Sequence, residues 1–174
     1  MNNNLLKQAQ DNFALLTSTL IAKNLSITTM ESCTSGLIAS FLTDIDNSSK
    51  VFKGSFVTYS NESKIAVGVN ENIINKYGVY SKETSIDMAI VAKEKYNADI
   101  SIGVTGSLGV VDPNNKDSVK GEVYFTIDYK TQHTYLIIVE DQGCKFLNKV
   151  FVANRICEEL LKLIWVVRNC FYLI

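Results

Sequence analysis

Three short apolar runs, each ending in small polar residues, constrain this chain more than any other feature. Ser26–Met30 leads into Glu31-Ser32-Cys33-Thr34-Ser35-Gly36, Gly54–Thr58 into Tyr59-Ser60-Asn61-Glu62, and Asp99–Val104 into Thr105-Gly106-Ser107-Leu108-Gly109. Read as parallel strands, the runs place their carboxyl ends on one edge of a sheet, where open α/β sheets bind ligands. Hydroxyls and glycines at three strand ends exceed what a scaffold requires, and they are read together as one candidate site.

Between the runs lie helical signals. Leu5, Ala9, Phe13, Leu16 and Leu20 fall on one stripe over 4–24, and Leu37, Ile38, Phe41 and Leu42 on another over 34–44. Two short helices are expected at 61–67 and 71–77, the second ended by Gly78. A longer helix opens at Ser81 and runs to about Tyr96. Alternating runs at 121–128 and 132–140 predict an antiparallel hairpin, and 146–172 a last helix. The segment 110–120, with the only proline, Pro113, reads as a polar, mobile loop beside the site. The expected fold class is α/β: a three-layer α/β/α sandwich around a mixed, mostly parallel sheet of about five strands, in one domain over 1–174.

Charge and cysteines narrow the function classes. Formal net charge is −1, which offers no electrostatic attraction for nucleic acid or an anionic membrane. The apolar C-terminus is broken by Lys162 and Arg168 and is too short to span a bilayer. Cys33, Cys144, Cys157 and Cys170 include no Cys-x-x-Cys pair, and His133 is the sole histidine, so a zinc site is not expected. The start of the chain lacks a basic, apolar leader. A cytoplasmic protein with free thiols is the expectation.

Ser32 and Cys33 sit where a strand turns into a helix. Unpaired amides at a helix start attract negative charge. Such a turn can hold an anion or stabilise an oxyanion formed by attack of its own hydroxyl; equally, Ser32 or Thr34 can simply cap the helix. A serine nucleophile needs a base. His133 lies inside a distant alternating strand, which leaves Lys64, Tyr59 and Glu62. Lysine can serve if burial lowers its pKa by roughly three units, at about 4 kcal/mol; a solvated helix lysine is the plain alternative. Gly103, Gly106 and Gly109 do not have dinucleotide-binding spacing and allow either close ligand approach or a turn.

The segments Thr29–Gly36, Phe56–Lys64, Gly78–Ser81 and Thr105-Gly106 resemble the CinA C-terminal domain family, the competence-damage family, over about residues 5–128 and more weakly beyond. Without the N-terminal domain of full-length members, the chain is similar to the stand-alone nicotinamide-nucleotide amidohydrolases. The resemblance implies hydrolysis of nicotinamide mononucleotide to nicotinate mononucleotide and ammonia, by a serine–lysine mechanism with no metal or other cofactor. It implies Ser32, Lys64 and Tyr59 as catalytic residues. Glu31, Cys33, Thr34, Ser35, Gly36, Asn61, Thr105 and Gly106 are then the substrate-binding set. The implied partner is a small nucleotide substrate, with no nucleic acid or membrane and a homo-oligomer as an option.

Three segments depart from the family pattern. The glycine-rich continuation after Gly106 is altered, Ser118-Val119-Lys120-Gly121 replaces Lys-Pro-Val-Gly, and the Gly-Asp-Arg entering the last helix is absent. Lys120, Lys149 and Arg155 are the nearby candidates by sequence to replace that arginine. An altered-substrate or non-catalytic nucleotide-binding domain is therefore the competing reading, and Cys33 as nucleophile a third.

Overall fold

A computed structural model describes residues 2–109, 115 and 118–169, with side chains from 4 to 165 among them. The elements are α1 (Asn2–Lys23), β1 (Ile27–Glu31), α2 (Leu37–Thr43), β2 (Phe52–Val57), α3 (Asn61–Val67), α4 (Glu71–Tyr77), α5 (Lys82–Tyr96), β3 (Ile100–Gly106), β4 (Glu122–Tyr129), β5 (Thr131–Ile138) and α6 (Lys145–Asn169). Pro113 and most of its loop, and Cys170, lie outside the described residues.

The strands form one sheet in the order β2-β1-β3-β4-β5. β1 pairs parallel with β2 and with β3, while β4 is antiparallel to both β3 and β5. Only β4 thus opposes the common direction, so the sheet is mixed, with two ladders of each kind. The loop of the β4–β5 hairpin is Lys130 alone, at φ 61°. The carboxyl ends of β1, β2 and β3 share an edge, as the sequence predicts.

Each face of the sheet carries its own core. On one, the α1 stripe (Ala9, Phe13, Leu16, Leu20) meets Ile38, Phe41 and Leu42 of α2, Ile156, Leu160 and Ile164 of α6, and Ile100, Ile102 and Val104 of β3. On the other, Met30 packs with Ile74 of α4 and Met88, Val91 and Ala92 of α5. β1 and β3 are buried along their whole length, as expected for parallel strands covered on both faces. Gly103 lets α5 close on β3: a Cβ there would lie 2.3 Å from the Ser85 carbonyl oxygen.

Two of the boundaries that differ from the sequence reading bear on the site. β3 continues through Thr105 and Gly106, because β4 extends the ladder to Thr105↔Tyr124 and Gly106↔Val123. α2 starts at Leu37, three residues late, for a reason that belongs to the site. No helix among the described residues is long and apolar enough to cross a membrane.

Candidate active site

The turn after β1 is organised by Glu31. Its carboxylate is fully buried and accepts the amides of Gly36 at 2.9 Å, Ile38 at 3.1 Å and Ala39 at 2.9 Å, with the Thr29 hydroxyl at 3.1 Å. The chain reaches that geometry through left-handed residues at Ser35 (φ 53°) and Gly36 (φ 87°), the second of which suits glycine. The amides expected to hold a substrate anion are therefore already occupied by the protein's own carboxylate, and α2 can begin only above it.

Ser32 is fixed at the crest of this turn. Its amide donates to the Val104 carbonyl at 3.0 Å, its own carbonyl accepts the Ser35 amide at 3.1 Å, and the residue is 4% exposed. Lys64 approaches from β2's side. Ser60 caps α3 in a reciprocal box with Ser63, and the Lys64 side chain runs back towards the helix start, the direction helical side chains favour. Its Nζ donates to Ser32 Oγ at 3.1 Å and to the Thr58 carbonyl at 2.8 Å. The Thr58 amide in turn donates to the Glu31 carbonyl at 2.8 Å.

Lys64 is 1% exposed, and no carboxylate pairs with it among the described residues. Burial therefore lowers its pKa from the ordinary lysine value to about 8, the Cys33 charge opposing in part. An amine that titrates near neutrality within hydrogen-bond distance of a serine hydroxyl is a competent general base.

The other candidates separate clearly. Cys33 is buried, and its thiol is pushed up to about 12 by burial and by the neighbouring Glu31 charge, which makes it a poor nucleophile at neutral pH. His133 on β5 pairs with Ile127 of β4, and Ile127 with Ile102 of β3; His133 therefore lies away from the edge where β1 and β3 end. Glu62 is fully exposed and its carboxyl is held low by backbone and Ser60 hydrogen bonds.

Thr105 is buried beside the turn, but its hydroxyl donates to the Val79 carbonyl at 2.9 Å. Gly106 is explained by β4 rather than by a ligand, since a Cβ there would lie 2.4 Å from the Glu122 carbonyl oxygen. Asn61 reaches Asn115 at 3.4 Å. The Thr34 and Thr58 hydroxyls are buried without a hydrogen-bond partner among the described residues.

Tyr59 is not part of the buried cluster. It is 62% exposed, and its hydroxyl meets Lys145 Nζ at 3.3 Å. Lys145 and Asn148, both on the first turn of α6, were not singled out by the sequence. Asn148 accepts the Gln142 amide at 2.7 Å and donates to the Leu108 carbonyl at 3.4 Å, seating α6 against the segment that leaves β3. Of the candidate replacements for the absent arginine, Arg155 is engaged by Glu158 and Glu159, and Lys149 lies close enough for its charge to lower the Cys33 pKa.

Comparison with known proteins agrees with this architecture. The CinA C-terminal domain model matches residues 10–163. A CinA-like protein of Prochlorococcus marinus subsp. pastoris is 44% identical over 115 residues, which cover 66% of this chain and 26% of that protein. One from Fervidobacterium nodosum is 44% identical over 101 residues, 58% of this chain and 25% of that protein. The chain thus spans about a quarter of the length of the curated relatives it matches. A crystal structure of a CinA superfamily protein from Escherichia coli superposes with a TM-score of 0.82 at 27% identity, covering 89% of this chain and 90% of that one. A competence/damage-inducible protein from Agrobacterium tumefaciens gives 0.80 at 25%, covering 90% and 95%. The chain belongs to the CinA C-terminal domain family.

Proposed function

We propose that this domain is a serine–lysine amidohydrolase that deamidates nicotinamide mononucleotide. The observation that carries the reading is the 3.1 Å contact between Lys64 Nζ and Ser32 Oγ in a buried setting that lowers the lysine pKa. In the first step neutral Lys64 takes the Ser32 proton as Oγ attacks the carboxamide carbon. The amides of Ser32, Ser35, Gly36, Ile38 and Ala39 are already engaged. The remaining turn amides, at Cys33 and Thr34, would serve the developing oxyanion. The Lys64 ammonium then protonates the leaving nitrogen, and ammonia departs from an acyl-serine. Lys64, neutral again, takes a proton from water as it attacks the ester and passes it to Ser32 Oγ as the C–O bond breaks, giving the carboxylic acid and free Ser32.

The substrate assignment rests on the family resemblance of the Glu31–Gly36 and Tyr59–Lys64 motifs. Leu147 and its neighbours replace the arginine segment of that pattern, and Leu147 is 9% exposed. This substitution favours the second reading, a nucleotide-binding domain with another substrate or none. Ammonia release from nicotinamide mononucleotide by purified protein, lost in Ser32→Ala and in Lys64→Ala, decides between them. Binding of the nucleotide without ammonia release would establish the second.

A further inference from the structure

We propose that the open edge of β5 pairs with β5 of a second copy of this chain, antiparallel about a twofold axis at Tyr135, and joins the two sheets into one. β5 (Thr131–Ile138) ends the sheet order, and no further strand pairs with it among the described residues.

Backbone geometry limits how such a pair can form. The Val139 amide donates to the Gly121 carbonyl at 2.8 Å. In an antiparallel ladder such bonded pairs alternate, so Ile137, Tyr135 and His133 bond inward to Val123, Phe125 and Ile127. The amides and carbonyls of Gln132, Thr134, Leu136 and Ile138 therefore point away from β4. One antiparallel register matches all of these with their own copies: Gln132 opposite Ile138, Thr134 opposite Leu136, and Tyr135 opposite itself. Sliding the copy by two residues leaves one end of the ladder unmatched. Sliding it by one opposes groups that already bond inward.

The side chains favour the same register. β5 contains no lysine, arginine, acidic residue or proline, and it pairs with β4 in unbroken register. It thus lacks the devices that keep an edge strand from associating. β2, the opposite edge, has both an exposed Lys53 and an irregular register with β1 between Ile27 and Thr28. Leu136 is 49% and Ile138 60% exposed; across the axis Leu136 lies diagonal to its own copy, within reach of an apolar contact. The register chosen by the backbone also sets Lys130 opposite Glu140 at both ends, and both residues are exposed. This charge complementarity of the strand with itself argues for a second copy of the chain as the occupant. Ser32 follows β1, with β3 and β4 between it and this edge, so the pairing leaves each Ser32–Lys64 site open.

Sedimentation velocity of the whole chain over a concentration series tests the interface. Wild type should shift from monomer to dimer as concentration rises, and Leu136→Lys should stay monomeric throughout. Lys130→Glu and Glu140→Lys should each weaken association about tenfold, because each turns two attractive cross-strand pairs into repulsive ones. The double variant Lys130→Glu/Glu140→Lys should restore it. Circular dichroism establishes that each variant is folded; if Leu136→Lys is not, the charge-exchange set decides alone. A wild type that is monomeric across the series, a folded Leu136→Lys that dimerises as tightly, or a double variant no tighter than the single ones overturns the proposal.

Discussion

The Glu31 carboxylate accepts the Ala39 amide at 2.9 Å, eight residues ahead in the chain. With the Gly36 and Ile38 amides it forms three hydrogen bonds that set the turn carrying Ser32. A negative charge here neutralises the positive helix start from inside the protein. Ser32, the proposed nucleophile, is thus held by a buried acid.

Glu31→Gln should therefore destabilise the fold, by about 2–4 kcal/mol. The charge-assisted bonds weaken, and the new amide nitrogen is a donor facing donors. Urea unfolding checks this. A variant as stable as wild type would show that the carboxylate is not what holds the turn.

Lys64 makes both activity and stability depend on pH. Activity needs the neutral amine, so kcat/KM should rise with pH about a midpoint near 8. For stability, a lysine whose folded pKa lies below its unfolded value binds fewer protons when folded. Its destabilisation is fully present below about 8 and is relieved as pH rises towards 10.5. The gain is about 3 kcal/mol at most. Unfolding free energies across that window should climb for wild type and climb less for Lys64→Met. A profile that falls with pH in both proteins alike would contradict this.

The dyad residues should behave as one unit. Ser32→Ala and Lys64→Ala should each abolish amide hydrolysis, and the double variant should lose no more than either alone. Cys33→Ala should stay active, because its thiol is pushed up to about 12. An inactive Cys33→Ala beside an active Ser32→Ala would reassign the nucleophile.

Much of this was legible because local signals carried it. Gly78 and Ser81 bound their helices as their backbone and side-chain preferences require, and the alternation at 121–140 marked the hairpin. The misreadings share a cause: a partner that local propensity does not register. Thr105 and Gly106 look like loop residues until β4 pairs with them. The late start of α2 follows from the Glu31 carboxylate, which propensity does not see. Lys145 is 86 residues from Tyr59, and no periodicity links them. The resemblance implies a catalytic Tyr59, whose side chain is exposed and meets that lysine.

Thr58 offers the sharpest test of which groups at the centre matter. Its carbonyl, not its hydroxyl, accepts from Lys64, and the hydroxyl is buried without a partner among the described residues. Thr58→Val preserves the carbonyl and the side-chain shape while removing an unsatisfied polar atom, whose burial costs about 1–3 kcal/mol. The variant should be as stable as wild type or more so, by about 1 kcal/mol. It should keep the Lys64 pH midpoint and retain activity within a few-fold. Thermal unfolding and a pH–rate profile measure both. A folded Thr58→Val that has lost activity a hundredfold would mean that the hydroxyl contacts substrate, and that the orphaned oxygen belongs to the binding site rather than to the scaffold.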